Sequence, residues 1–94
     1  MISEHNKKRL KRIVKELGYW RKTMIHSFEE LNNSRFNEKT VQTVRENVDR
    51  DKKLIKHIDL LINEASELLG IDPPNLGKVP RVTIKKIRKD DDDG

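Results

Sequence analysis

His5, His26 and His57 are the residues of this chain best suited by type to ligate a metal or relay a proton. Metal sites in helical proteins need further ligands one turn away, and carboxylate-bridged bundles use Glu-x-x-His. The residues three places before these histidines are Ile2, Thr23 and Leu54, so that spacing is absent. With no cysteine there is neither a thiolate site nor a disulfide frame. No Gly-rich phosphate loop and no nucleophile–base signature occurs. The expectation is a non-enzymatic protein with no catalytic residues, no metal site and no cofactor.

Cations are the next chemistry. Lys7, Lys8, Arg9, Lys11, Arg12 and Lys15 form one cluster near the start, and Lys78, Arg81, Lys85, Lys86, Arg88 and Lys89 form another near the end. Formal net charge is +5, and Asp90 to Asp93 supply −4 of it, so the rest of the chain carries +9. A basic excess on so short a chain favours a polyanion partner. No aromatic side chain accompanies either cluster and no helix-turn-helix is legible. Composition alone leaves nucleic acid, an anionic membrane, an acidic protein and a merely solvated charged face all open; if the partner is DNA or RNA, the grip is expected through phosphates without sequence preference.

Elements must position these clusters. Ser3 predicts an N-cap, with Glu4 in the first turn. From there Leu10, Leu17, Met24 and Leu31 recur every seventh residue, with Ile13, Trp20 and Ser27 as companions and Val14 and Phe28 widening the stripe. Gly18 interrupts the helix and is expected to let a facing helix approach. The run from Asn32 to Asn37 is rich in turn and cap residues, and Asn37 predicts the second N-cap. The second helix sets Val41, Val48, Ile55, Ile62 and Leu69 seven apart, with Val44, Asp51, Ile58 and Ala65 as partners. Gly70, Ile71 and Pro73-Pro74 predict its end.

The expected fold is all-α. It is an antiparallel two-helix hairpin over residues 1–70 (helices 3–32 and 37–69), with a coiled-coil-like seam. An extended or disordered basic arm follows over 71–94, ending acidic. With a short connection, both basic clusters are expected at the open end of the hairpin. Leu54, Leu61 and Leu68 form a third apolar line that one partner helix does not cover, which predicts pairing into a helical bundle or docking of a protein partner. Asp51, at a seam position, must be hydrogen-bonded or wet. Trp20 is a candidate donor; Asp51 then either marks a seam open to solvent midway or serves, with the leucines, to set the register of the interface. No apolar run reaches membrane-span length, so no membrane partner and a cytoplasmic location are expected.

Two stretches, Arg21-Lys22-Thr23-Met24-Ile25 and Ile58-Asp59-Leu60-Leu61-Ile62-Asn63-Glu64, resemble those of the small sporulation-type aspartyl-phosphate phosphatases, which are also helical hairpins. Where that family has Ser-Gln-x-Leu-Asp, the serine and glutamine places here hold Ile55 and Lys56, and the stretches lie roughly two heptads further apart. The resemblance implies dephosphorylation of a response regulator, with Asp59 as the residue of interest. The leading expectation remains a small regulatory or accessory protein that self-associates and contacts nucleic acid or a nucleoprotein complex. An adaptor docking through the apolar face of helix two and the arm is the alternative.

Overall fold

The computed structural model describes residues 2–87. Arg88, Lys89 and the run Asp90 to Asp93 lie outside the described residues. Helix α1 spans Glu4–Asn32 and helix α2 spans Glu38–Leu69. Both start on the caps that their sequences announce. Ser3 Oγ accepts from the Asn6 N–H at 3.2 Å, and Asn37 Oδ1 accepts from the Thr40 N–H at 2.9 Å. Gly70 ends α2 in the left-handed conformation, at φ 69°. Its N–H and that of Ile71 close back on the carbonyls of Glu67 and Ser66.

The two helices pack against each other as a helical hairpin. Ile2, just before α1, and Leu10, near its start, share a hollow with Leu68, near the end of α2. The core is small and follows the second helix: Val41, Val44, Val48, Ile55, Ile58, Ile62 and Ala65 are buried, with Phe28 from α1. The molecule is correspondingly long and thin, at 65 × 18 × 17 Å.

The register of α1 differs from expectation. Its inward positions are Leu10, Val14, Leu17, Arg21, Met24, Phe28 and Leu31, alternating four and three residues apart, and all are buried or half-buried. Ile13, Trp20 and Ser27 belong to the flanking row and are exposed, Trp20 at 57%. Trp20 packs edge-on against Tyr19 instead, with ring centroids 6.1 Å apart. Asp51 is half-buried at its seam position, and its described ionic contact is Arg50 Nε at 3.7 Å, not the Trp20 indole. Gly18 admits no close approach: a Cβ there would meet nothing within 4 Å.

After Gly70 the arm turns back along the hairpin. Arg21 is the reason. This buried guanidinium donates through Nε to Asp59 Oδ1 at 2.7 Å, through one terminal nitrogen to the Leu76 carbonyl, and through the other to the Gly77 carbonyl at 2.9 Å. Further on, Asn32 holds the arm with both ends of its amide. Nδ2 donates to the Arg81 carbonyl at 2.9 Å, and Oδ1 accepts from the Thr83 N–H at 2.8 Å. Val82 and Ile84 pack with Phe36 on the cluster of Phe28, Val44, Val48 and Ile55. Finally, strand β2 (Lys85–Lys86) pairs in parallel with strand β1 (Arg35–Phe36), in the connection between the helices.

Candidate nucleic-acid interface

The path of the arm decides where the cations sit. Lys85 and Lys86 pair with Arg35 and Phe36 beside the interhelical connection, and Lys86 Nζ lies 3.8 Å from Glu38 Oε1. The arm's basic residues are therefore carried away from the start of α1. The expected convergence of both clusters on the open end does not occur, because Arg21 and Asn32 draw the arm toward the connection. Arg88 and Lys89 lie outside the described residues.

A different grouping replaces it. On α2, the row following the buried stripe on one side holds Arg45, Lys52 and Asp59, and the row beyond it holds Asp49 and Lys56. These residues border the arm. Arg45, Val48, Asp49 and Lys52 line a hollow of about 410 Å³ with Arg81, Val82, Thr83 and Ile84. A second hollow, of about 280 Å³, lies between Lys52, Ile55, Lys56, Asp59 and Val79 to Arg81. Lys52 and Arg81 wall both. The corresponding rows of α1 hold Lys8, Lys15, Lys22 and Glu29, and Glu4, Lys11, Gly18, Ile25 and Asn32. Asn32 bonds the arm and Ile25 packs on the cluster the arm covers, which places these rows on the arm side as well.

The sequence cluster of α1 is thus sorted by the helix. Lys8, Lys11 and Lys15 share the arm side. Arg9 and Arg12 turn elsewhere, and Lys7 sits half-buried at the end of the seam, 3.6 Å from Glu4. Lys22, Arg45, Lys52 and Lys56 join the arm-side set without belonging to either cluster. Lys8, Lys15 and Lys22 stand one heptad apart whatever the seam, but they fall on the arm side only when Arg21 belongs to the seam, and a charged residue seldom marks one. Among the described residues, none of Arg45, Lys52, Lys56 and Arg81 forms an ion pair within 4.0 Å. Asp49 and Asp59 line the same hollows, and Asp59 is engaged by Arg21. Lys78, Arg81, Lys85 and Lys86 are all exposed. At 1.5 Å per residue, Lys8 to Lys22 runs about 21 Å and Arg45 to Lys56 about 16 Å.

The other side of the hairpin has the opposite character. The flanking rows there hold Ile13 and Trp20 on α1 and Leu54, Leu61 and Leu68 on α2, all exposed. Ile13 and Leu68 line one hollow, so the two rows adjoin. Asp51 belongs to the seam beneath and not to this strip. The molecule is therefore two-faced, with cations in excess over acids where the arm lies and an exposed apolar strip on the other side.

Two further features bear on chemistry. The Arg21–Asp59 bond brings together the two stretches that resemble the aspartyl-phosphate phosphatases, and Asp59 is occupied in holding the guanidinium. His26 lies on the α1 surface near Glu29 and Glu30, 4.0 and 3.3 Å away. Among the described residues, no group of three histidines and carboxylates is placed to hold a metal ion, and no helix is long and apolar enough to cross a membrane. Neither a protein-family model, a curated protein nor a solved structure matches the chain.

Proposed function

We propose that this is a non-catalytic nucleic-acid-binding protein that grips phosphates along its arm side. The supporting observation is the seating of the arm, which sets Arg81 across a groove from Arg45, Lys52 and Lys56 on the same side as Lys8, Lys11, Lys15 and Lys22. Point charges on flexible stems along a rod suit a run of backbone phosphates better than a compact anion. No stacking ring lines the groove, and the lining residues include no pair arranged to read a base edge, so affinity is expected to be indifferent to sequence.

The test is fluorescence anisotropy with labelled duplex DNA and RNA at several salt concentrations. Each phosphate neutralised on B-DNA contributes about −0.9 to the slope of log affinity against log salt, so five or six contacts give a slope of about −5. Replacing Arg45, Lys52 and Lys56 with Ala is expected to flatten the slope by up to about 3, and replacing Lys8, Lys11 and Lys15 likewise. Lys39 and Lys53, exposed and outside the arm-side rows, serve as controls whose loss leaves the slope unchanged. Absence of binding at low salt rejects the proposal. Phosphate release from a phosphorylated receiver domain by the unmutated chain, abolished in Asp59→Asn, would replace it with the phosphatase reading.

A further inference from the structure

The apolar face has a size, a repeat and a charge pattern that together fit one occupant. Leu54, Leu61 and Leu68 stand one heptad apart on α2, and Ile13 and Trp20 stand one heptad apart on α1. Their exposures run from 38% for Leu61 to 59% for Leu68. The leucine row alone is about 21 Å long. A contiguous apolar strip of this extent on a chain with so little core marks an association site. Rows repeating every seventh residue on both helices match a surface with the same repeat, and the chain's own strip has it.

The charges on the strip's margins choose between a second copy and a foreign helix. On α1 the outer row beside Ile13 and Trp20 runs Arg9, Glu16, Thr23, Glu30, with Arg9 and Glu30 at its ends, three heptads apart, and Glu16 opposite the other copy's Thr23 when the row is reversed on itself. On α2 the outer row beside the leucines runs Thr43, Arg50, His57, Glu64, with its two formally charged residues, Arg50 and Glu64, two heptads apart about His57. Arg9, Glu30, Arg50 and Glu64 are all exposed. The midpoint of Arg9 and Glu30 falls next to Trp20. A second copy laid head-to-tail about a two-fold axis near Trp20 sets Arg9 against the other copy's Glu30, and Arg50 against its Glu64. Both margins are complementary to themselves in that one orientation, which is the requirement of an isologous pair.

We infer that the chain forms a two-fold dimer through Ile13, Trp20, Leu54, Leu61 and Leu68, and that the dimer bridges two nucleic-acid segments. Pairing by the apolar faces turns the two arm sides outward, in opposite directions. A monomer of this shape coats one polyanion, whereas the dimer holds one on each side. The bridging step rests on the phosphate-binding reading above; the dimer does not.

Sedimentation velocity of the unmutated chain and of Leu61→Glu reads the dimer, with circular dichroism melts to verify that each variant is folded. The expected result is twice the chain mass for the unmutated protein and the chain mass for Leu61→Glu. Arg9→Glu is expected to weaken the dimer at least tenfold, and Arg9→Glu combined with Glu30→Arg to restore it. Energy transfer between donor- and acceptor-labelled duplexes reads bridging, and is expected with the unmutated protein but not with Leu61→Glu, which still binds a single duplex. A monomer at a few hundred micromolar overturns the inference. So does a dimer that Leu61→Glu leaves intact, or one whose Arg9 defect Glu30→Arg does not relieve, since the face then takes another partner or another orientation. If neither protein binds duplex, the phosphate-binding reading and bridging fail together, and sedimentation alone decides the dimer.

Discussion

Arg21 and Asp59 meet Nε to Oδ1 at 2.7 Å, and the same guanidinium claims two carbonyls of the arm. One side chain thus joins α1, α2 and the returning segment. Burying a cation is costly unless its charge is paired and its donors are met, and here both conditions hold. The arrangement makes the arm's seating depend on two residues that lie far from it in sequence.

Asp59→Ala is expected to be destabilising, since it leaves the guanidinium buried against carbonyls alone. The loss should be about 2–3 kcal/mol, below the ~3–5 of a fully enclosed pair, because the Asp59 side chain is 35% exposed. Replacing both partners, as Arg21→Met with Asp59→Leu, is expected to recover most of that stability while loosening the arm. Urea unfolding measures the first effect, and the rate of tryptic cleavage after Lys78 and Arg81 measures the second. Equal urea midpoints for Asp59→Ala and the unmutated chain would contradict the role assigned to this pair.

Removing every residue after Pro74 is expected to lower both the urea midpoint and its m-value. An arm that is extended or disordered, as the sequence leads one to expect, would be separable, with helicity and melting nearly intact. The structure gives the opposite expectation: Val82 and Ile84 cover Phe28, Val44 and Val48, and Arg21 loses two acceptors. Each half-buried aliphatic contributes about 1 kcal/mol, half of full burial. The m-value falls because less surface remains to be exposed on unfolding.

Gly18→Ala is expected to stabilise the protein by about 0.5–1 kcal/mol. A Cβ meets nothing within 4 Å there, so the gain in helix propensity carries no steric cost. A raised melting temperature with unchanged anisotropy titrations is the expected outcome. A lowered one would place another group against this position.

Asp51→Leu is expected to stabilise by about 1 kcal/mol, by extending the apolar stripe between Val48 and Ile55. Its side chain is 29% exposed, and its described ionic partner is an exposed neighbour at 3.7 Å. Chemical denaturation checks the sign, and a marked loss would reveal a polar contact that Asp51 alone can make.

The second helix was legible from its residues. Val41, Val48, Ile55 and Ile62 are buried as their spacing requires, and Asn37 and Gly70 bound the helix where cap chemistry places them. The register of the first helix was harder, for one physical reason. Ile13 and Trp20 are more apolar than Arg21, yet Arg21 points inward because two arm carbonyls and Asp59 await it. Those acceptors come from parts of the chain 38 to 56 residues away, and no local pattern records them. With Ile13 and Trp20 as companions of Leu10, Leu17, Met24 and Leu31, Lys8, Lys15 and Lys22 fall on the outward back of α1; with Arg21 in the seam they fall on the arm side. The arm did carry a signal. Val82 and Ile84 alternate with Thr83 and Lys85, which is the pattern of an extended segment with one face against a hydrophobic surface. Its direction, toward the connection, was set by Asn32 and Arg21 and was not written in the arm itself.

The order of synthesis gives the Arg21 clasp a history. Asp59 leaves the ribosome 18 residues before Gly77. At about 5–20 residues per second the nascent hairpin spends roughly 1–4 s with its guanidinium paired to the carboxylate but lacking the arm's carbonyls. In that interval Val48, Ile55 and the lysine row have no arm beside them. A nascent chain is therefore half-finished in a specific way, with a wet cation in its seam and bare aliphatics beside it. The arm, made after the hairpin, is the stretch that dries it.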